Sequence, residues 1–370
     1  MSNAPCRWGI LGTATIARKN WQAIRLAENC TLAAVASRDL ARSQQFIASC
    51  QSQVPFAEDV TAVGDYDALL ARDDVDAVYI PLPTALRKEW VLKAARAGKH
   101  VLCEKPCSVT PADVREMIDA CGQHNVQFMD GVMFMHSARL NRLREILAGG
   151  ESIGQLRRIA TQFSFCAPDD WVQSNIRTNS ELEPHGCLGD LGWYNIRIVL
   201  CVMNGQLPKQ VAGRMLAQRG RSDSPQPVPV EFSGELLFPG DVSASFFCSF
   251  QTEHQQWLHV SGSGGSLQIS DFMLPDCGNR NAIELSQPKF EIFGCDFVME
   301  KHTHDVFTNE YSNSMADSQE TNLFREFGRL VQSGTPDPAW GRWSLATQRV
   351  LDACWQSARE GGVLIDVSDP

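Results

Sequence analysis

The spacing Gly12-x-Ala14-x-x-Ala17, at the end of an apolar run from Arg7 to Leu11, can hold a pyrophosphate. Gly12 permits a tight turn. Small side chains at Ala14 and Ala17 allow close approach of phosphate and of the neighbouring strand. The helix that starts near Thr15 offers unpaired N–H groups and the positive end of its dipole. Gly12, Thr13, Ala14, Thr15 and Ile16 are the expected phosphate contacts. Only one of the three fingerprint glycines survives, so a plain strand–helix turn competes until the wider pattern is considered.

A second informative group closes the next apolar run, Leu32 to Ala36. It reads Ser37-Arg38-Asp39. A carboxylate here accepts from a ribose 2′-OH, whereas an arginine faces a 2′-phosphate and stacks on adenine. Ser37 and Arg38 therefore favour NADP. NAD stays open if Asp39 is the ribose acceptor, although Asp39 is better placed as the N-cap of the following helix.

The elements that position these groups alternate. Apolar runs at Arg7 to Leu11, Leu32 to Ala36, Ala77 to Ile80, His100 to Cys103 and Val126 to Met129 read as strands. Between them lie helical patterns at Thr15 to Ala27, Leu40 to Cys50, residues 84–97, and Pro111 to Cys121, the last with Thr110 as N-cap. This alternation predicts parallel strands with crossover helices, an α/β Rossmann domain over residues 1–130. A helix from Arg139 to Leu147 follows. Period-2 stretches then run from Leu156 to Ser270, with hairpin turns at Gly240-Asp241 and Gly262 to Gly265. Helices are expected at 187–203, 318–332 and 343–359. Residues 131–370 are thus an α+β C-terminal domain with an open, mainly antiparallel sheet, and the last helix is free to pack back on the first domain.

Net charge is −10, which disfavours a nucleic-acid partner. The 13 cysteines contain no CxxC pair, so zinc-ribbon and thioredoxin-type sites are not expected, and His302 and His304 alone do not make a metal site. Thiols in apolar contexts (Cys30, Cys201, Cys248) fit small core residues in a reducing compartment. No run of about 18 apolar residues occurs, and the opening MSNAPCRWGILG lacks a leader pattern. A cytoplasmic protein without a membrane partner is expected.

Gly98-Lys-His-Val-Leu-Cys-Glu104-Lys105-Pro106 resembles the glucose–fructose oxidoreductase, inositol dehydrogenase and MocA family. Tyr79-Ile-Pro81-Leu82-Pro83-Thr84 resembles the family's strand-four loop, and Gly186-x-Leu-x-Asp190-x-Gly192-x-Tyr194 its second-domain motif. The resemblance implies hydride transfer between NAD(P) and a carbinol of a sugar, cyclitol or dihydrodiol-like substrate. It implies that Pro81, Leu82, Pro83, Thr84, Arg87, Glu104, Lys105 and Pro106 border the cofactor. It maps the family lysine onto Lys105, the proton donor or acceptor onto Tyr194, as in dimeric dihydrodiol and NADP-linked xylose dehydrogenases, and a substrate-side carboxylate onto Asp190. It also implies a homodimer or higher oligomer. The chemistry agrees. Asp190 and Tyr194 are four apart on an expected helix and share a face. A tyrosine with a reference pKa near about 10 needs a neighbouring ammonium such as Lys105 to work near neutrality.

Three departures bear on the pocket. Arg87 stands where relatives often carry His, Asp130 where they carry Glu, and Pro184-His185 replaces further glycines. Trp171 and Arg177 precede the catalytic helix and read equally as substrate contacts or as a packing indole and a surface cation. Two other functions stay open: a non-catalytic NADP-binding sensor, and an aldose oxidoreductase that keeps its cofactor.

Overall fold

Trp8, Ile10 and Leu11 alternate with Gly9 in a stretch that is dry on both faces, as a central parallel strand must be. In the structure, a computed structural model, residues 4–367 are described; Met1–Asn3, the start of the segment read above for a leader, and residues 368–370 lie outside them. The chain runs β1 (Cys6–Leu11), α1 (Thr15–Leu26), β2 (Cys30–Ala36), α2 (Leu40–Gln51), β3 (Thr61–Val63), α3 (Tyr66–Leu70), β4 (Ala77–Ile80), α4 (Thr84–Arg96), β5 (His100–Cys103), α5 (Pro111–Gln123) and β6 (Phe128–Asp130). It continues through α6 (Ala138–Gly149), β7 (Leu156–Ser164), α7 (Asp169–Ser174), α8 (Trp193–Val202), β8 (Gln210–Arg219), β9 (Val228–Leu237), β10 (Ser243–Ser249), β11 (Gln255–Gly262) and β12 (Ser266–Ile269). It ends with β13 (Arg280–Ser286), β14 (Lys289–Phe293), β15 (Asp296–Glu300), β16 (Thr303–Asn309), α9 (Gln319–Ser333), α10 (Ala339–Arg359) and β17 (Ile365–Asp366).

The first unit holds a six-stranded sheet of order β3-β2-β1-β4-β5-β6, all pairs parallel. Strand order reverses between β1 and β4, which is where such sheets bind nucleotides. The expected strand Val126 to Met129 is displaced to Phe128–Asp130. The division of the chain is not a single cut after residue 130. Residues up to His136, Glu181–Glu183 and Asn313–Gln348 form the first unit, and the intervening and final segments form the second. Helix α9 explains much of this. Its Phe324 and Phe327 rings lie 5.0 and 4.8 Å from Trp8, so α9 completes the core over β1.

The second unit is built on a nine-stranded sheet of order β16-β13-β12-β11-β7-β10-β9-β8-β17. Its neighbouring pairs are antiparallel except β7 with β10. The α/β Rossmann class and the open, mainly antiparallel second sheet are both present. Gly240 and Asp241 both take positive φ, 76° and 59°, as a type I′ hairpin turn requires. Every residue of α8 is buried. Its one amide, Asn195, is satisfied there by Thr161 Oγ1 at 3.0 Å and the Phe247 carbonyl at 3.1 Å. Sequence reading missed β13 to β16. The pair β14–β15 forms a separate two-stranded sheet.

Candidate active site

Gly12 has φ 116°, a conformation closed to other residues, and its N–H donates to the Ala36 carbonyl at 2.8 Å. A Cβ at this position would stand 3.1 Å from Leu82 Cδ2. Ala14 is extended at the head of α1 and offers no side-chain cap, and the first turn carries no acid. Thr15 and Ile16 are exposed there. An uncapped helix start behind a positive-φ glycine is a cradle that fits a pyrophosphate.

At the end of β2, Ser37 is buried and Arg38 exposed. The Asp39 carboxylate accepts from Ala41 N–H at 2.9 Å and caps α2. Arg42, one turn along α2, was missed from sequence. Burial pushes the Tyr66 hydroxyl up, and Arg38 and Arg42 pull it back, so both guanidiniums act on one neighbourhood. Two cations without a free carboxylate suit a phosphate better than a bare ribose hydroxyl.

Two of the residues expected at the cofactor have other duties. The Thr84 hydroxyl donates to Glu183 Oε2 at 2.6 Å and its N–H to Oε1 at 3.0 Å. Glu183 therefore occupies the start of α4, and that helix end is not open to a phosphate. Arg87 is 5 % exposed. Its Nε donates to the Leu82 carbonyl at 2.7 Å, and its Nη1 to the Glu104 carbonyl at 3.1 Å and to that of Pro106. Arg87 is a brace that ties the Pro81–Pro83 loop to the Glu-Lys-Pro loop, because a planar fork can serve several carbonyls at once. Pro81 and Leu82 are buried and Pro83 half-buried ahead of α4. Glu104 is buried too. Its Oε1 accepts from Tyr79 Oη at 2.6 Å and its Oε2 from Lys105 N–H at 3.1 Å. Lys105, 8 % exposed, is thus held from behind, and its peptide to Pro106 is cis.

In the second unit, Gly186 has φ 48°, and a Cβ there would collide with the Pro229 carbonyl. Residues Leu188–Gly192 then form a π-helical turn before α8 begins at Trp193. The expected α-helix from 187 is corrected here: Asp190 lies on the π turn and Tyr194 on the α-helix, so α-helical spacing does not set their geometry. Such turns interrupt helices at functional sites. Asp190 Oδ2 receives Arg177 Nε at 2.7 Å, with the two side chains 12 % and 37 % exposed. No spacing argument had linked these two residues. Tyr194 is buried and its ring meets Phe163 edge-on at 5.8 Å. Trp171 packs against Phe165 and Phe250 at 5.4 and 5.1 Å, which favours its packing role. Among the described residues no group of three His, Cys, Asp or Glu converges to hold a metal.

Residues 6–132 match the model of the oxidoreductase family with an NAD-binding Rossmann fold, and residues 140–268 match the GFO/IDH/MocA C-terminal domain. The chain belongs to the GFO/IDH/MocA oxidoreductase family. It is an NAD(P)-dependent oxidoreductase of that family. It is 32% identical over 288 residues to a dTDP-3,4-didehydro-2,6-dideoxy-alpha-D-glucose 3-reductase of Streptomyces violaceoruber, covering 76% of this chain and 78% of the relative. It is 29% identical to D-xylose 1-dehydrogenase (NADP(+)) 2 of Haloferax volcanii, over 96% and 98% of the two chains. A crystal structure of a 3-ketoreductase from Actinomadura kijaniata with NADP and TDP-benzene superposes with a TM-score of 0.78 at 25% identity, covering 95% of this chain and 98% of that one.

His185, a departure from the family pattern, is buried. Burial holds its imidazole down to about 4, and its ring meets Trp355 edge-on at 5.3 Å. An unfolded histidine titrates near about 6.5. Between that pH and about 4 the unfolded chain gains a proton that the folded one refuses. Stability is therefore full above the unfolded value and falls as pH drops through this window, by up to about 3 kcal/mol. His185→Phe should remove this part of the acid loss in urea unfolding compared at pH 7 and pH 4.5. An unchanged acid slope in the variant would count against it.

Proposed function

We propose that the protein is an NADP-linked dehydrogenase or reductase acting on a carbinol of a sugar, cyclitol or dihydrodiol-like substrate. One observation carries the choice of NADP: Arg38, just past β2, and Arg42, in the first turn of α2, both act on the Tyr66 hydroxyl while Asp39 is engaged as a helix cap. Gly12, Thr13, Ala14, Thr15 and Ile16 hold the pyrophosphate at the uncapped start of α1. The Pro81–Pro83 and Glu104–Pro106 loops border the nicotinamide, with Arg87 and Thr84 behind them as supports.

The nicotinamide, when bound, gives or takes the hydride. Tyr194 takes the substrate hydroxyl proton in oxidation and returns it in reduction. Lys105 orients the reacting hydroxyl and its ammonium favours the phenolate. Asp190 accepts from a second substrate hydroxyl. Arg177 fixes that carboxylate through the 2.7 Å ion pair and keeps part of its guanidinium exposed to the substrate. None of the 13 cysteines is in a disulfide and ten are buried, which fits a reducing compartment, and we place the enzyme in the cytoplasm.

A panel of sugars, cyclitols and dihydrodiols, read at the nicotinamide absorbance band with each cofactor, tests the reading. NADP should be preferred at least tenfold in kcat/KM. Arg38→Ala should erase that preference mainly through the cofactor KM. Preference for NAD in the unmodified enzyme would overturn the assignment. A tight NADPH complex inert to every substrate would instead favour the sensor.

A further inference from the structure

Tyr79 is fully buried on β4, the strand beside β1 at the reversal of strand order. In register it lies between Ile10 of β1 and Leu102 of β5. A phenylalanine would fill the same space against Phe324, whose ring meets Tyr79 edge-on at 6.1 Å. The hydroxyl is therefore what tyrosine adds, and a buried hydroxyl needs a partner. It donates to Glu104 Oε1 at 2.6 Å. Burial and the Glu104 carboxylate push the phenol well above its ordinary pKa, so Tyr79 keeps its proton and stays the donor.

Glu104 passes the contact on. Its Oε2 accepts from the Lys105 N–H at 3.1 Å. Gly131 leaves room for the carboxylate: a Cβ there would stand 3.1 Å from Oε1 and 3.2 Å from Cδ. The group is thus held on both oxygens and against a backbone wall. A carboxylate is costly to bury, and satisfied networks of this kind impose one rigid arrangement. On the far side of the phenol, Asn20 of α1 is buried and hydrogen-bonds the Tyr79 side chain. Helix α1 is the one whose open start forms the pyrophosphate cradle.

We infer that Tyr79 is a positioning residue for the catalytic lysine: through Glu104 it fixes the direction of the Lys105 peptide relative to α1, so that the pyrophosphate seat and the lysine share one frame. The inference rests on the role given to Lys105 above. It is separate from the Arg87 brace. Arg87 serves the carbonyls of this loop, whereas Tyr79 and Glu104 serve its N–H. Orientation of this kind matters to rate, because a misplacement of about 1 Å at a reacting group can cost about a hundredfold.

The test uses the full-length enzyme, NADP and the fastest substrate of the panel above. Tyr79→Phe should lower kcat at least about tenfold and leave the NADP dissociation constant and substrate KM within about threefold. Glu104→Gln offers one acceptor oxygen to two donors and should show the same split, and the double variant should be no slower than the slower single one. On a Lys105→Met background Tyr79→Phe should cost less than about twofold further, since it acts through the lysine, whereas a merely structural role would cost as much there as in the natural chain. Should Tyr79→Phe fail to fold, Glu104→Gln carries the same comparisons. A second reading needs no turnover. In the NADP complex the Lys105 amide should exchange at least about tenfold faster in either variant, while the amides of Ile10 and Leu102 hold. A folded Tyr79→Phe with kcat within about twofold of the natural enzyme, beside an inactive Lys105→Met, overturns the inference alone. A full loss repeated on the Lys105→Met background, or an unchanged Lys105 amide, overturns it too. Turnover retained by Lys105→Met instead removes the lysine from the chemistry, and this inference with it.

Discussion

Tyr194→Phe is expected to lower kcat by about a thousandfold while leaving the NADP dissociation constant within about threefold of the natural enzyme. The substitution removes one oxygen. The ring keeps its edge-on contact with Phe163 at 5.8 Å, so α8 should remain where it is. A positioned acid–base group contributes 10²–10⁴-fold, and a thousandfold loss corresponds to about 4 kcal/mol in the barrier. The cofactor cradle lies in the first unit, at Gly12 and at Arg38 with Arg42, and does not use this residue. Single-turnover rates with bound NADPH, alongside cofactor titration by fluorescence, separate the two quantities. A rate within tenfold of the natural enzyme would remove Tyr194 from the proton-transfer role.

Arg87→Met should destabilise the first unit by about 3–5 kcal/mol. The side chain it removes serves the carbonyls of Leu82, Glu104 and Pro106, all in a buried setting. Methionine fills a similar volume and leaves those acceptors unpaired. Arg87→Lys should recover only part of the loss, since one ammonium is a compact charge and cannot serve three carbonyls in the same geometry. The functional consequence follows from the loop: Glu104-Lys105-Pro106 loses its tie to the preceding strand's loop, and NADP should bind at least tenfold more weakly. Denaturant midpoints and cofactor titration check both parts. A loss under about 1 kcal/mol would show that the brace is dispensable.

Much of the fold was legible because its signals are local. Apolar runs punctuated by helical periods named the parallel sheet, and Thr110, Asp39 and Gly12 marked helix starts and a turn whose chemistry depends only on near neighbours. The roles of Thr84 and Arg87 were not legible, because they depend on partners remote in sequence. Glu183 reaches Thr84 across 99 positions, and Arg87 reaches Pro106 across 19. The same applies to the Arg177–Asp190 pair, which no spacing rule predicts. The π turn escaped because glycine and leucine at 188–192 fit an α-helix equally well by pattern. The β14–β15 ribbon did carry a signal, Lys-Phe-Glu-Ile-Phe against Asp-Phe-Val-Met-Glu, but every residue of both strands is exposed, which contradicts the rule that apolar alternation marks a buried face.

The aromatic cover of Trp8 comes from Phe324 and Phe327, near the other end of the chain. A ribosome delivers the sheet's six strands first and its lid almost two hundred residues later. During synthesis the nucleotide fold therefore waits with an indole side uncovered, while the intervening antiparallel sheet emerges and folds. Release of a fragment ending at His136 should yield an aggregation-prone half-domain rather than a free-standing cofactor module, and chaperone dependence should peak before α9 leaves the exit tunnel.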